Sequence, residues 1–193
     1  ISNGHGCTDS ITKNVESYPI PLLGFMHDTL VCKGDSIQMN NSTTGAIQYD
    51  WDFGNGLSDT RKNPNSFYDT IGIYTIKLQA TSIRGCYDSL RSTIHVIEAP
   101  QASFIPSLDE GCAPLEVIFN NTTIAEFETY LWDYGQGQTS TNRIADTIIY
   151  DQGRHDTTYF VQLLVSNQCR IDTFSDSILV HPTPVAIFET DRD

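Results

Sequence analysis

Apolar and polar positions alternate along most of the chain, and apolar residues do not recur at the three- and four-residue spacing of a helix. Ile73-Tyr74-Thr75-Ile76-Lys77-Leu78-Gln79-Ala80 and Ser175-Asp176-Ser177-Ile178-Leu179-Val180 are rich in β-branched residues. Both contain period-two stretches, with Gly, Asn, Asp or Pro at their borders, and both read as strands. Similar runs recur about every ten residues, the spacing of an all-β sandwich or barrel.

The chain also repeats itself. Tyr49-Asp50-Trp51-Asp52-Phe53-Gly54-Asn55-Gly56 returns as Tyr130-Leu131-Trp132-Asp133-Tyr134-Gly135-Gln136-Gly137, with the two Trp 81 residues apart. Cys32 and the downstream Ser36-Ile37-Gln38-Met39-Asn40-Asn41 match Cys112 and Leu115-Glu116-Val117-Ile118-Phe119-Asn120-Asn121, at an offset of 80. A third element occurs three times, around Cys7, Cys86 and Cys169: Gly6-Cys7-Thr8-Asp9-Ser10, Gly85-Cys86-Tyr87-Asp88-Ser89 and Gln168-Cys169-Arg170-Ile171-Asp172. Each copy leads through a strand to a Pro-containing junction, at Pro19-Ile20-Pro21, Ala99-Pro100 and Pro182-Thr183-Pro184. The expected organisation is the end of one module over 1–21, whole modules over 22–100 and 101–184, and the start of another over 185–193. On this reading the sequence is a window on a longer array.

Charge narrows the set of partners. With 24 Asp plus Glu against 11 Lys plus Arg the formal charge is -13, which argues against nucleic acid and anionic membrane, since both need a basic surface. Hydrophobic residues make up 39% and charged ones only 18%, enough apolar material for a core and too much for a disordered chain. No apolar run approaches the roughly 18 residues of a spanning helix, so no direct membrane insertion is expected. Ile1-Ser2-Asn3-Gly4 does not resemble a signal peptide, which places any export signal outside this sequence.

Trp51-Asp52-Phe53-Gly54-Asn55-Gly56, followed by Asn63-Pro64 and Tyr68, then Gly72-Ile73-Tyr74-Thr75-Ile76-Lys77-Leu78, closely resembles the PKD (polycystic kidney disease) domain pattern. The second module keeps Trp132-Asp133-Tyr134-Gly135-Gln136-Gly137 but has Ile144-Ala145-Asp146-Thr147 where the pattern has Pro-x-x-x-Tyr, and a longer stretch between Gly153 and Tyr159. The resemblance implies tandem immunoglobulin-like β-sandwiches in an extended array. The Cys-bearing ends and short Pro junctions resemble, more loosely, the tandem PKD arrays of large surface proteins in gliding and type IX-secreting bacteria. That resemblance implies a non-enzymatic, stiff spacer in an exported cell-surface protein, an adhesin or motility-associated one, whose partners are the neighbouring modules. The alternative is a module that binds glycan or protein within a secreted hydrolase.

Individual residues fit a structural role. Trp51 and Trp132, in alternating strands beside Phe53 and Tyr134, are expected in the core rather than as a carbohydrate-stacking platform. Asp52 and Asp133 are expected to accept turn N–H groups, and Gly54, Gly56, Gly135 and Gly137 to supply positive φ. Five Cys without a CxxC motif or Cys-His cluster suggest disulfides in an oxidising compartment. Matching positions in the two repeats suggest the pairs Cys32–Cys86 and Cys112–Cys169, which close similar spans of 54 and 57 residues. Cys7 occupies the Cys86 position of a preceding module, where its partner is also expected.

No catalytic residue is expected. His5, His27, His95, His155 and His181 fall in unrelated contexts, and neither a His-Glu-x-x-His nor a Gly-x-Ser-x-Gly motif is present. No cofactor is expected either. Some PKD domains hold calcium near a module edge, and Asp28, Asp109 and Glu110 lie near such edges, but scattered Asp more often serves turns.

One tripeptide is over-represented. Seven of 17 Asp precede Ser or Thr and then an aliphatic residue, placing hydroxyls at Ser10, Thr29, Ser36, Thr70, Ser89, Thr147 and Ser177. Chance placement gives about one. The tripeptide resembles the O-glycosylation sequon of the same surface-exporting bacteria, which implies O-glycans at these seven positions. Shared ancestry of the repeats, with a turn Asp before a strand start, is the competing account.

Overall fold

A computed structural model describes residues 1, 4–6, 8–151 and 155–184. The proposed 185–193 module start and Cys7 lie outside the described residues. All regular secondary structure among those residues is β-strand, and no helix is long and apolar enough to cross a membrane.

Among the described residues each repeat contributes nine strands in one order. The first supplies β1 (Phe25–Met26), β2 (Leu30–Cys32), β3 (Ser36–Gln38), β4 (Asn40–Asn41), β5 (Gln48–Asp52), β6 (Ser58–Asp59), β7 (Asn65–Phe67), β8 (Gly72–Thr81) and β9 (Tyr87–Ile97). The second supplies β10 (Phe104–Pro106), β11 (Glu110–Cys112), β12 (Leu115–Val117), β13 (Phe119–Asn121), β14 (Thr129–Asp133), β15 (Thr139–Ser140), β16 (Ile148–Tyr150), β17 (Thr157–Ser166) and β18 (Ile171–His181). Five strands of the first form a sheet in the order β2-β9-β8-β5-β6, and the second repeats it as β11-β18-β17-β14-β15. The opposing strands pair as β1-β4 and β3-β7, and again as β10-β13 and β12-β16. The all-β sandwich read from period-two patterning is therefore present twice, with identical connectivity.

Two parallel pairs set the sheet edges. β2 runs parallel to β9 with Cys32 opposite Ile97, and β11 runs parallel to β18 with Cys112 opposite His181. Central strands pair antiparallel, which sets Trp51 opposite Leu78 and Trp132 opposite Leu163.

Contacts divide the chain into two compact units. Among the described residues the first holds those of 1–29, 36–66 and 74–94, and the second holds those of 30–35, 67–73 and 95–184. In the first, every second residue of β8 from Ile76 is buried, so Ile76, Leu78 and Ala80 join Trp51, Phe53 and Met39 among its buried residues. In the second, Val161, Leu163 and Val165 of β17 do the same beside Phe104, Phe119, Trp132 and Ile178. Complete burial of such a side chain stabilises by about 1.5–3 kcal/mol, which makes the alternating pattern a statement about energy as well as geometry.

Candidate functional site

The repeated Trp-Asp segment builds a turn and a core in each repeat. Trp51 and Trp132 are 2% and 0% exposed, so neither ring has a face open to sugar. Each indole Nε1–H donates to a backbone carbonyl ten residues on, Arg61 O and Asn142 O, both at 3.0 Å. Each ring stacks on the aromatic two residues later, Phe53 at 6.3 Å and Tyr134 at 5.8 Å between centroids. Asp52 Oδ1 accepts the Gly54 N–H and Asp133 Oδ1 accepts the Gly135 N–H, each at 2.9 Å. Gly54, Gly56, Gly135 and Gly137 have φ of 75, 86, 81 and 86°. Beside this turn the Arg61 guanidinium and N–H bond Asp59, holding its carboxyl down at about 2.

The loop where the second module departs from the resemblance has its own support. The Asp146 N–H donates to the Tyr134 hydroxyl at 3.0 Å, and Tyr150 donates to Tyr134 O at 3.0 Å. Phe53, at the equivalent position, has no hydroxyl to offer. Burial raises the Tyr134 and Tyr150 phenols, and burial together with the Glu128 carboxylate raises Tyr130 to about 12. The Tyr134 hydroxyl holds the loop, and all three phenols stay protonated at neutral pH.

The expected disulfide pairing is overturned. Cys32 is bonded to Cys169, 137 residues away, and Cys86 and Cys112 are free. Strand geometry gives the reason. Cys86 immediately precedes β9, whereas Cys32 lies opposite Ile97 at the far end of that strand. Cys169 likewise precedes β18, whereas Cys112 lies opposite its last residue, His181. At about 3.3 Å per residue the members of each expected pair are roughly 35–40 Å apart along the strand. A disulfide needs Cα atoms within about 7 Å.

Both bonded cysteines belong to the second compact unit. The turn that carries Cys169 is tied down by Asn167 Nδ2–H bonds to Glu98 O at 2.9 Å and Glu126 O at 3.3 Å, and by a Gln168 Nε2–H bond to Leu30 O at 2.6 Å. Lys33 pairs with Glu98 at 2.9 Å, and His95 with Glu126 at 3.2 Å. The open groove beside the cystine has a volume of about 470 Å³ and mixes Asp35, Asp69 and Glu98 with Lys33 and Arg170. It offers no enclosed apolar wall for a small molecule.

Asp28 lies in the first unit, and Asp109 and Glu110 lie in the second. Among the described residues no group of three His, Cys, Asp or Glu side chains has metal-holding placement. His27 meets Ser92, and His181 meets Asp156, so these histidines sit in separate polar contacts. All seven hydroxyl positions, Ser10, Thr29, Ser36, Thr70, Ser89, Thr147 and Ser177, are exposed. In three of them the Asp Oδ1 accepts the N–H of the following Ser at 2.7–2.8 Å, a bond local to the Asp-Ser pair that Asp88 and Asp176 make within β9 and β18.

Comparison with known proteins agrees with this geometry. Collagenase ColA of Bacillus cereus is 29% identical over 83 residues, which are 43% of this chain and 8% of the collagenase. The chain thus spans a small part of that relative. The PKD1 domain of the Vibrio cholerae metalloprotease PrtV is 30% identical, with 40% of this chain and 98% of that domain covered at a TM-score of 0.36. The N-terminal eight Ig domains of Down Syndrome Cell Adhesion Molecule are 11% identical, covering 86% of this chain and 25% of that one at a TM-score of 0.54, a likeness of fold alone. The family model for the PKD domain matches residues 19–97. That stretch of the chain is a PKD domain, and the second repeat reproduces its sandwich strand for strand.

Proposed function

We propose that the chain is a non-catalytic spacer in a larger exported protein, in which tandem sandwiches hold a distant functional part away from a surface. The observation that carries this reading is the cystine between β2 of the first repeat and the β17–β18 turn of the second, a covalent tie across the repeats. Disulfides persist in oxidising, extracellular compartments, which supports a secreted location. The junctions Glu98-Ala99-Pro100-Gln101 and His181-Pro182-Thr183-Pro184 are too short and too Pro-restricted to act as flexible coils. A cell-surface adhesin or motility-associated protein of a gliding, type IX-secreting bacterium is the setting that fits a stiff acidic array.

Small-angle scattering of the oxidised chain tests the spacer. Two modules of roughly 30–40 Å, set end to end, give a maximum dimension of about 70–80 Å. A compact particle with its modules folded together contradicts the reading. The second reading, an accessory region of a secreted hydrolase, draws on the likeness to a collagenase and a metalloprotease. It requires a bound glycan or protein, and then replacing these modules by another stiff array abolishes ligand affinity and not only reach.

The seven exposed Asp-Ser and Asp-Thr hydroxyls belong to the same setting. O-linked sugar there covers sheet edges and disfavours edge-to-edge pairing. Intact mass of protein from its native host is expected to exceed the polypeptide mass, with glycopeptides at one or more of these residues. An unmodified mass, or sugar only at Asn41 and Asn121, removes the assignment.

A further inference from the structure

We propose that the cystine is one link of a propagating chain of cross-links: the cysteine ending the second strand of each repeat bonds the cysteine in the last hairpin turn of the repeat that follows. The free thiols Cys86 and Cys112 are then the two open ends of the series, each reserved for an adjoining repeat. This rests on the tandem repeat and the observed bond, and it holds whether or not the array serves as a spacer.

Cys112 reproduces the setting of Cys32. Cys32 ends β2 opposite Ile97, and the next residue, Lys33, donates its N–H to Ile97 O at 2.8 Å. Cys112 ends β11 opposite His181, and the next residue, Ala113, donates its N–H to His181 O at 2.9 Å. The strand, the register and the backbone bond are the same. Cys112 is exposed, whereas Cys32 carries the bond to Cys169.

Cys86 shares the last hairpin turn with Cys169 but lies one place later in it, since the Ser82 N–H bonds Cys86 O where the Asn167 N–H bonds Arg170 O. Both lie in the turn before the last strand of their repeat. The two junctions align through their isolated bridges, Leu22 with Thr44 and Gln101 with Ile124. Counting back four residues from Leu22 and from Gln101 makes Tyr18 the counterpart of Ile97. The Cys86 thiol donates to Tyr18 O at 3.9 Å, and the Arg84 guanidinium lies over the Tyr18 ring at 4.9 Å. Cys86 is therefore held against the residue whose counterpart, Ile97, has Cys32 as its strand partner. The position beside Tyr18 is the one that a preceding repeat's second-strand cysteine occupies, one sulfur from Cys86.

The bond forms by ordinary exchange with a small-molecule disulfide as oxidant. The Cys112 thiolate displaces one glutathione thiolate from oxidised glutathione. The Cys86 thiolate of the next repeat then attacks the Cys112 sulfur of the mixed disulfide and releases the second. Two protein thiols lose two protons and two electrons, and one oxidised glutathione becomes two reduced molecules.

A concatemer tests the register: residues 1–184 followed directly by residues 22–193, with Cys7→Ser throughout. One version carries Cys86→Ser in the first copy and Cys112→Ser in the second, leaving Cys112 and Cys86 in the two repeats that flank the join. After refolding in a glutathione redox buffer it is expected to show no free thiol and a Cys112–Cys86 cross-linked peptide. The mirror version carries Cys112→Ser in the first copy and Cys86→Ser in the second, and is expected to keep two free thiols per chain. Recovery of Cys32–Cys169 from both copies shows in the same digest that the repeats have folded. Two free thiols in the first version, equal pairing in both, or no Cys32–Cys169 bond in either overturns the proposal. Scattering of the same proteins reads the spacer separately, since an extended particle with free thiols keeps the spacer and rejects the link.

Discussion

Replacing Trp132 with Ala is expected to destabilise the second unit by about 4 kcal/mol, within the range for truncating a fully buried large aromatic. Two losses combine. The indole is wholly buried and packs against Phe104, Phe119 and Tyr134 with centroids 5.3–6.3 Å away, so its removal leaves a cavity among stiff neighbours. The Nε1–H bond to Asn142 O is lost as well, a part-buried bond whose net contribution is about 0.5–1.5 kcal/mol. Trp132→Phe keeps most of the ring and loses the donor, so about 2 kcal/mol is expected there. Because Trp51 remains in the first unit, tryptophan fluorescence follows the wrong transition. Amide exchange at Val161, Leu163 and Val165 reads the second unit directly. A loss below about 1 kcal/mol for Trp132→Ala would mean that the indole does not hold this core.

The Trp-Asp-aromatic-Gly segment is legible in the sequence because everything it does is local. Alternation puts Trp132 inward and Asp133 outward, and an outward Asp two residues before a Gly meets that Gly N–H without help from elsewhere in the fold. The hydroxyl of Tyr134 is less legible: its partner, the Asp146 N–H, lies in a loop that departs from the first repeat. The cysteines mark the limit. Aligning repeats shows that Cys32 corresponds to Cys112 and Cys86 to Cys169, and equivalence says nothing about which of them meet. Strand position carries that information. A cysteine at the exit of an edge strand and one at the entry of its neighbour lie a full strand length apart when the two strands are parallel. The parallel pairing of β2 with β9 is set by chain topology and not by any residue within either strand.

Gly135→Ala is expected to destabilise the second unit by about 3 kcal/mol or more, while Gly137→Ala, two residues on, costs about 1–2 kcal/mol. The backbone conformation is nearly the same, with φ of 81° and 86°, so left-handed strain alone predicts similar losses. The surroundings differ. A Cβ on Gly135 falls 2.6 Å from Phe160 O and 3.0 Å from Phe160 N, while a Cβ on Gly137 meets nothing within 4 Å. Phe160 belongs to β17, and its carbonyl cannot retreat without disturbing the ladder that pairs Asp133 with Gln162. Gly54 repeats the arrangement, with Thr75 O 2.7 Å from its Cβ position, so Gly54→Ala should lose as much in the first unit. Denaturant unfolding followed by amide exchange compares the variants. Equal losses at Gly135 and Gly137 would show that the turn needs glycine only for its φ. The expected inequality shows that the glycine lets the turn lie directly on the central strand, where Asp133 caps it and Trp132 is held in the core.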